Sequence, residues 1–112
     1  MMETKTYQSF SEFWPYYVSE HSKPGTRRLH FLGTSLGLLL LLIFFVTGPW
    51  WLVLLALISG YLFAWIGHFV VERNMPATFK YPLYSLAGDL KMFVLICVGK
   101  MEEEVKRRTS AR

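Results

Sequence analysis

Residues 29–46 read LHFLGTSLGLLLLLIFFV, a run of eighteen residues without Asp, Glu, Lys or Arg. As an α-helix rising about 1.5 Å per residue it is about 27 Å long, enough to cross the hydrocarbon core of a bilayer. Thr47-Gly48-Pro49 makes a turn, and residues 50–71 form a second uncharged run whose one titratable imidazole, His68, lies near its end. Lys23, Arg27 and Arg28 precede the first run, Arg73 and Lys80 follow the second, and the turn carries no basic residue. The positive-inside rule then places both charged ends in the cytoplasm and the turn on the far side. The sequence predicts an all-α integral membrane helical bundle built on an antiparallel transmembrane hairpin.

The other segments are read outward from that pair. The chain has 112 residues, enough for a single membrane domain, residues 1–112. It is 53% hydrophobic, with nine Phe, six Tyr and four Trp, more than a soluble core of this size hides. The net charge of +4 sits in clusters at the ends of apolar runs, so no nucleic-acid partner is expected. Cys97 is alone in an apolar run and is assigned to packing, with no disulfide framework. Residues 7–20 space Tyr7, Phe10, Phe13, Trp14 and Tyr17 as a helix, read as an interfacial segment that Pro15 kinks or divides. Ser9 and Glu12 are spaced for a capping box, and Thr26 is the expected N-cap of the first span. Residues 82–99 form a third membrane-associated helix, partly embedded or spanning, that contains Asp89 and Lys91; residues 100–112 are a polar, solvated tail. With no leading apolar run and no targeting extension, a bacterial inner membrane is favoured, or the endoplasmic reticulum in a eukaryote.

Small residues mark where membrane helices approach closely. The first span carries Gly33 and Gly37, with His30 on the same face; the second carries Gly60, Ala64, His68 and Glu72 at intervals of four. His30 and His68 are equidistant from Pro49 in the turn, so an antiparallel pair brings them to one level. His21, on the loop before the first span, can fold back onto them. A metal site of His21, His30 and His68 with Glu72 follows; histidine plus carboxylate suits non-haem iron, and zinc almost as well. Hydrogen bonding between the helices is the competing reading. Asp89 either accepts from a metal-bound histidine or pairs with Lys91 or Arg73. Asn74 is placed to cap a helix C-terminus. Arg27 or Arg28 either grips a carboxylate or anchors the helix to headgroups.

The stretch Phe13-Trp14-Pro15-Tyr16-Tyr17, His21, Pro24 and His30, together with Gly67-His68-Phe69-Val70-Val71-Glu72-Arg73-Asn74-Met75-Pro76-Ala77, resembles the yeast-type 2-hydroxy fatty acid dioxygenase family. Ser85-Leu86-Ala87-Gly88-Asp89 is similar to its compact members. The resemblance covers about residues 10–93. It implies an iron(II)-dependent membrane oxidoreductase that uses dioxygen to shorten a 2-hydroxy fatty acid, or a related lipid, by one carbon. It also implies His21, His30 and His68 as the histidines of the site, with Glu72 as a fourth ligand or a base. Glu72 and Asp89 are then the catalytic candidates, and Arg27, Arg73 and Asn74 those for the substrate. Two rivals are a bis-histidine haem protein using His30 and His68 and a non-enzymatic membrane scaffold. A small transporter fits less well, because the charges sit at the rim.

Overall fold

A computed structural model describes residues 6–110, and all of its regular structure is helical. Helix α1 spans Phe10–Ser19, α2 Pro24–Thr47, α3 Trp51–Ile66, α4 Pro82–Cys97 and α5 Met101–Ser110. α3 continues without a break into a π-helical turn, Gly67–Glu72, and a short 3-10 turn, Ala77–Phe79, leads into α4. Pro24–Thr47 and Trp51–Glu72 are each long and apolar enough to cross a membrane. α4 has 16 residues, short of the roughly 20 a perpendicular crossing takes.

α2 and α3 run antiparallel in close contact because glycine lets their backbones meet. A Cβ on Gly33 would lie 2.8 Å from Phe63 Cβ and 3.0 Å from the Ser59 carbonyl, and one on Gly37 would lie 3.1 Å from the Ala56 carbonyl. The outer faces of both helices are bare leucine, isoleucine and phenylalanine, among them Leu32, Leu39, Leu42, Phe45, Leu54, Ile58 and Leu62. Gly48, in the left-handed region at φ 96°, ends α2 and turns the chain.

The remaining helices form a cap at the open end of that pair. Its core is Phe13, Trp14, Tyr17 and Val18 of α1, packed with Ala77, Met92 and Met101. Trp14 and Tyr17 stack at 5.3 Å, and Lys91 Nζ sits 4.3 Å over the Trp14 ring. Trp14 Nε1 donates to Glu104 on α5 at 2.6 Å, and Glu104 also receives Arg107 and Arg108.

Several local expectations are corrected. Pro15 does not divide α1, which runs from Phe10 to Ser19 with the proline inside it; what it forgoes is the single backbone bond to the Ser11 carbonyl one turn earlier. Ser9 caps α1 by accepting from Glu12 N, but the Glu12 carboxylate returns to Gln8 N, one residue beyond a regular capping box. Thr26 is not the cap of α2: the helix starts at Pro24, whose missing N–H is no loss there, and Lys23 takes the cap position. The polar tail is not simply solvated, since Met101 and Glu104 are buried against α1; its last two residues, Ala111 and Arg112, lie outside the described residues.

Candidate metal centre

Three histidines from three separate elements meet where the cap joins the helix pair. His21 follows directly on the C-cap of α1, His30 lies in the second turn of α2, and His68 lies in the π-turn. All three are buried. One ring nitrogen from each falls within 4.8 Å of the others, and Nε2 of His21 and Nε2 of His30 are 3.1 Å apart.

The hydrogen bonds on the far side of each ring decide what those nitrogens are. His21 Nδ1 donates to the Tyr17 carbonyl at 2.7 Å, and His30 Nδ1 to the Thr26 carbonyl at 3.1 Å. His68 Nδ1 lies 2.7 Å from Asn74 Oδ1. That amide orientation is set by Asn74 Nδ2, which donates to the Glu20 carbonyl at 3.1 Å and to Glu20 Oε1 at 2.9 Å, both pure acceptors. Every Nδ1 therefore holds the proton, and in the neutral rings every Nε2 presents a lone pair inward. Burial, followed by the neighbouring imidazoles, pushes His21 well below its usual pKa, so it stays neutral at physiological pH.

Two lone pairs facing each other at 3.1 Å with no proton between them repel. A cation shared by the three rings turns that repulsion into three bonds. Two imidazole nitrogens about 2.0–2.1 Å from one ion stand about 2.8–3.4 Å apart, for right-angle to tetrahedral arrangements; His21 and His30 already stand so at 3.1 Å, and the His68 nitrogen, within 4.8 Å of them, closes on the ion when it binds. The residues present fit a metal ion, with each ligand held by a hydrogen bond from its outer nitrogen.

Backbone irregularity makes the arrangement possible. The π-turn changes the angular step along the helix, so the four-residue stripe of Gly60, Ala64 and His68 does not extend to Glu72. Glu72 consequently stands outside the histidine cluster. Its carboxylate accepts from Lys23 N at 2.5 Å and from Ser22 Oγ at 3.3 Å, tying the His21 loop to the end of the π-turn. Arg73 adopts the left-handed conformation at φ 63°, and Asn74 N then donates to the His68 carbonyl at 2.9 Å. This reversal folds Asn74 onto His68. Asn74 is thus a positioning partner of a ligand rather than a group free to hold substrate.

The arginines divide as well. Arg27 is buried: Nη1 donates to the His21 carbonyl and Nη2 to Glu102, each at 2.8 Å. It fixes the ligand loop. Arg28 and Arg73 are exposed. Asp89 pairs with neither Lys91 nor Arg73; it accepts from the Tyr17 hydroxyl at 2.5 Å, and its Oδ1 lies 3.8 Å from His30 Nε2. Burial pushes the Asp89 carboxyl up to about 7, against the opposing pull of the Tyr17 hydroxyl. Tyr17 was not among the sequence candidates. Its ring stacks on His21 at 4.0 Å, and a Cβ on Gly88 would come within 2.7 Å of that ring. The Tyr17–His21 spacing of one helical turn was the available signal.

A haem between His30 and His68 does not fit. The two ring centroids are 5.1 Å apart, and His21 packs 4.5 Å from each, filling the space a macrocycle needs.

What these helices define is an all-helical protein with a buried three-histidine centre at the base of two apolar helices. Residues 7–101 match the model of the family described as 2-hydroxy-palmitic acid dioxygenase Mpo1-like, and the chain belongs to that family. No curated protein and no solved structure matches it.

Proposed function

We propose that this protein is an iron(II)-dependent membrane dioxygenase that shortens a 2-hydroxy fatty acid, or a closely related lipid, by one carbon. The carrying observation is the convergence of three Nε2 lone pairs, each fixed by a bond at Nδ1. The family description supports the substrate class. Membrane insertion is supported by the two apolar helices and their bare outer faces. The basic ends then lie on the cytoplasmic side, with the centre close to that surface.

Bound by His21, His30 and His68, iron(II) would supply open coordination positions and the electrons that make dioxygen reactive. A 2-hydroxy acid plus dioxygen gives carbon dioxide, water and the shorter acid. The substrate furnishes all four electrons, so no external reductant is needed. Asp89, beside His30 and steadied by Tyr17, is placed to take the proton of the arriving 2-hydroxyl. Of the candidate arginines, Arg28 and Arg73 are left to attract a carboxylate, since Arg27 is committed to His21 and Glu102. The aromatic core of the cap keeps bulk water from the His21 side.

Metal analysis of protein purified without oxygen tests the reading. Near-stoichiometric iron in the wild type, lost in His68→Ala and in His30→Ala, is expected; unchanged iron in both variants removes the assignment. Zinc at the same stoichiometry would keep the site and remove the dioxygenase. A 2-hydroxy fatty acid left intact by iron-loaded protein in the presence of dioxygen would remove it as well.

A further inference from the structure

We propose that the alkyl chain of the substrate lies in a groove leading from the three-histidine centre along α2 and α3, and that Gly60 sets the chain length it accepts; this rests on the reading of the centre given above. The groove has a volume of about 380 Å³. Its walls include His30 and Asp89 at the level of the histidine centre, Gly60 and Leu57 further along, and Leu41 and Val53 towards the Gly48 turn. From His30 to Leu41 is about 16 Å along the helix. Leu86 and Leu90 of α4 close its other side. The ligand nitrogen and the carboxylate are at one end and aliphatic walls at the other. That polarity matches an amphiphile whose head is at the metal and whose tail runs toward the Gly48 turn.

Gly60 supplies an independent observation. Glycine within a helix is less favourable than alanine and is kept where a backbone must come close. Gly33 and Gly37 meet that condition, because a Cβ on either presses on α3 backbone. Gly60 does not: nothing lies within 4 Å of the position its Cβ would take. Its carbonyl faces Gly33, but the side of Gly60 where a side chain would stand is open, and that open space is part of the groove. Bilayer lipid is the competing occupant. It explains an apolar wall but not a wall that ends on His30 and Asp89.

The test uses the full chain, iron-loaded, in phosphatidylcholine nanodiscs under nitrogen, with palmitic acid carrying a photoreactive diazirine near its methyl end. Labelling of α2 and α3 in the wild type is expected, displaced by 2-hydroxypalmitic acid and reduced at least tenfold in Gly60→Phe. Leu57→Trp fills the same groove from the next turn and guards against a folding fault in Gly60→Phe; iron content of both should equal that of the wild type. With dioxygen admitted, the preferred substrate of either variant should move to shorter 2-hydroxy acids. Equal labelling of wild type and both variants, or labelling that 2-hydroxypalmitic acid does not displace, would overturn the groove. Competed labelling without turnover of any 2-hydroxy acid would instead remove the dioxygenase and leave the chain site standing.

Discussion

Phe45, in the α2–α3 pair, is 77% exposed, whereas Phe13, in the cap, is fully buried. The two regions draw on the same kinds of apolar residue and bring them together by different forces. In the pair, small residues make the contact and large ones point away. Their outward leucines gain nothing from one another if lipid surrounds them, and cohesion comes from backbone approach and van der Waals contact. In the cap, large aromatic rings make the contact and are withdrawn from solvent, as in a water-soluble core. The candidate metal centre takes two histidines from the pair, His30 and His68, and one from the cap, His21. Its geometry therefore depends on both kinds of packing at once.

Substitutions can separate these contributions. The largest effect is expected from Gly33→Leu, which forces a side chain into Phe63 and the Ser59 carbonyl. Overpacking of this kind costs about 3 kcal/mol or more, and thermal melting in detergent should show the pair failing together with the iron content. Gly60→Leu, on the same two-helix unit, should melt like the wild type. If the two variants melt alike, close backbone approach is not what holds the pair.

Gly88→Ala probes the cap. Its Cβ would press on the Tyr17 ring, at a cost of about 1–3 kcal/mol. Because Tyr17 stacks on His21 and bonds Asp89, iron affinity should fall along with stability. A loss of stability with full iron affinity would show that the cap does not position its ligand.

Asn74→Ala removes the partner of His68 Nδ1 without touching either core. Iron affinity should drop about 10- to 100-fold, measured by competition with a chelator, while Asn74→Asp, which keeps an acceptor for Nδ1–H but sets its second oxygen against Glu20, should recover part of it. Equal losses in both would mean that the amide acts through Glu20 instead.

The smallest effect is expected from Glu104, the acidic contact between α1 and α5. Bonds from Trp14, Arg107 and Arg108 outweigh its burial and hold its pKa down to about 2, below the usual 4.5. A carboxylate held low in the folded protein stabilises it above the unfolded pKa and loses that contribution as pH falls through the folded one. Docking of α5, followed by Trp14 fluorescence, should accordingly hold at neutral pH and weaken between about pH 4.5 and 2. Glu104→Gln should flatten that transition.

How much of this could be read from the chain differs between the two regions. The α2–α3 pair was legible because its signals are local: uncharged length, glycine spacing and basic flanks. The convergence of His30 and His68 follows from their equal distance to Pro49 alone. Glu72 went astray because a regular four-residue stripe was carried through residues 67–72, where the helix widens to π spacing, and no side chain there announces it. The cap was less legible. Its contacts, Tyr17 to Asp89 and Trp14 to Glu104, join residues more than seventy positions apart, and periodicity carries no information over that range. Asn74 was read as a helix cap because its chemistry suits one. Its actual partner depends on the left-handed turn at Arg73, which neither residue type dictates.

The π-turn has a further consequence for how this chain tolerates changes of length. A π-turn holds one residue more than an α-turn closing over the same rise. Deleting any single residue from 67–72 would let the helix heal into regular α form, leaving its hydrogen bonding intact. The healed helix would turn and rise about as far with one residue fewer, so the segment after it, with Asn74 against His68 and Glu72 against the Lys23 amide, would stay close to its place. Within the turn His68 and Glu72 are fixed by what they bind, whereas Phe69, Val70 and Val71 include one residue more than a regular helix needs: here the chain can shorten by one without losing the site.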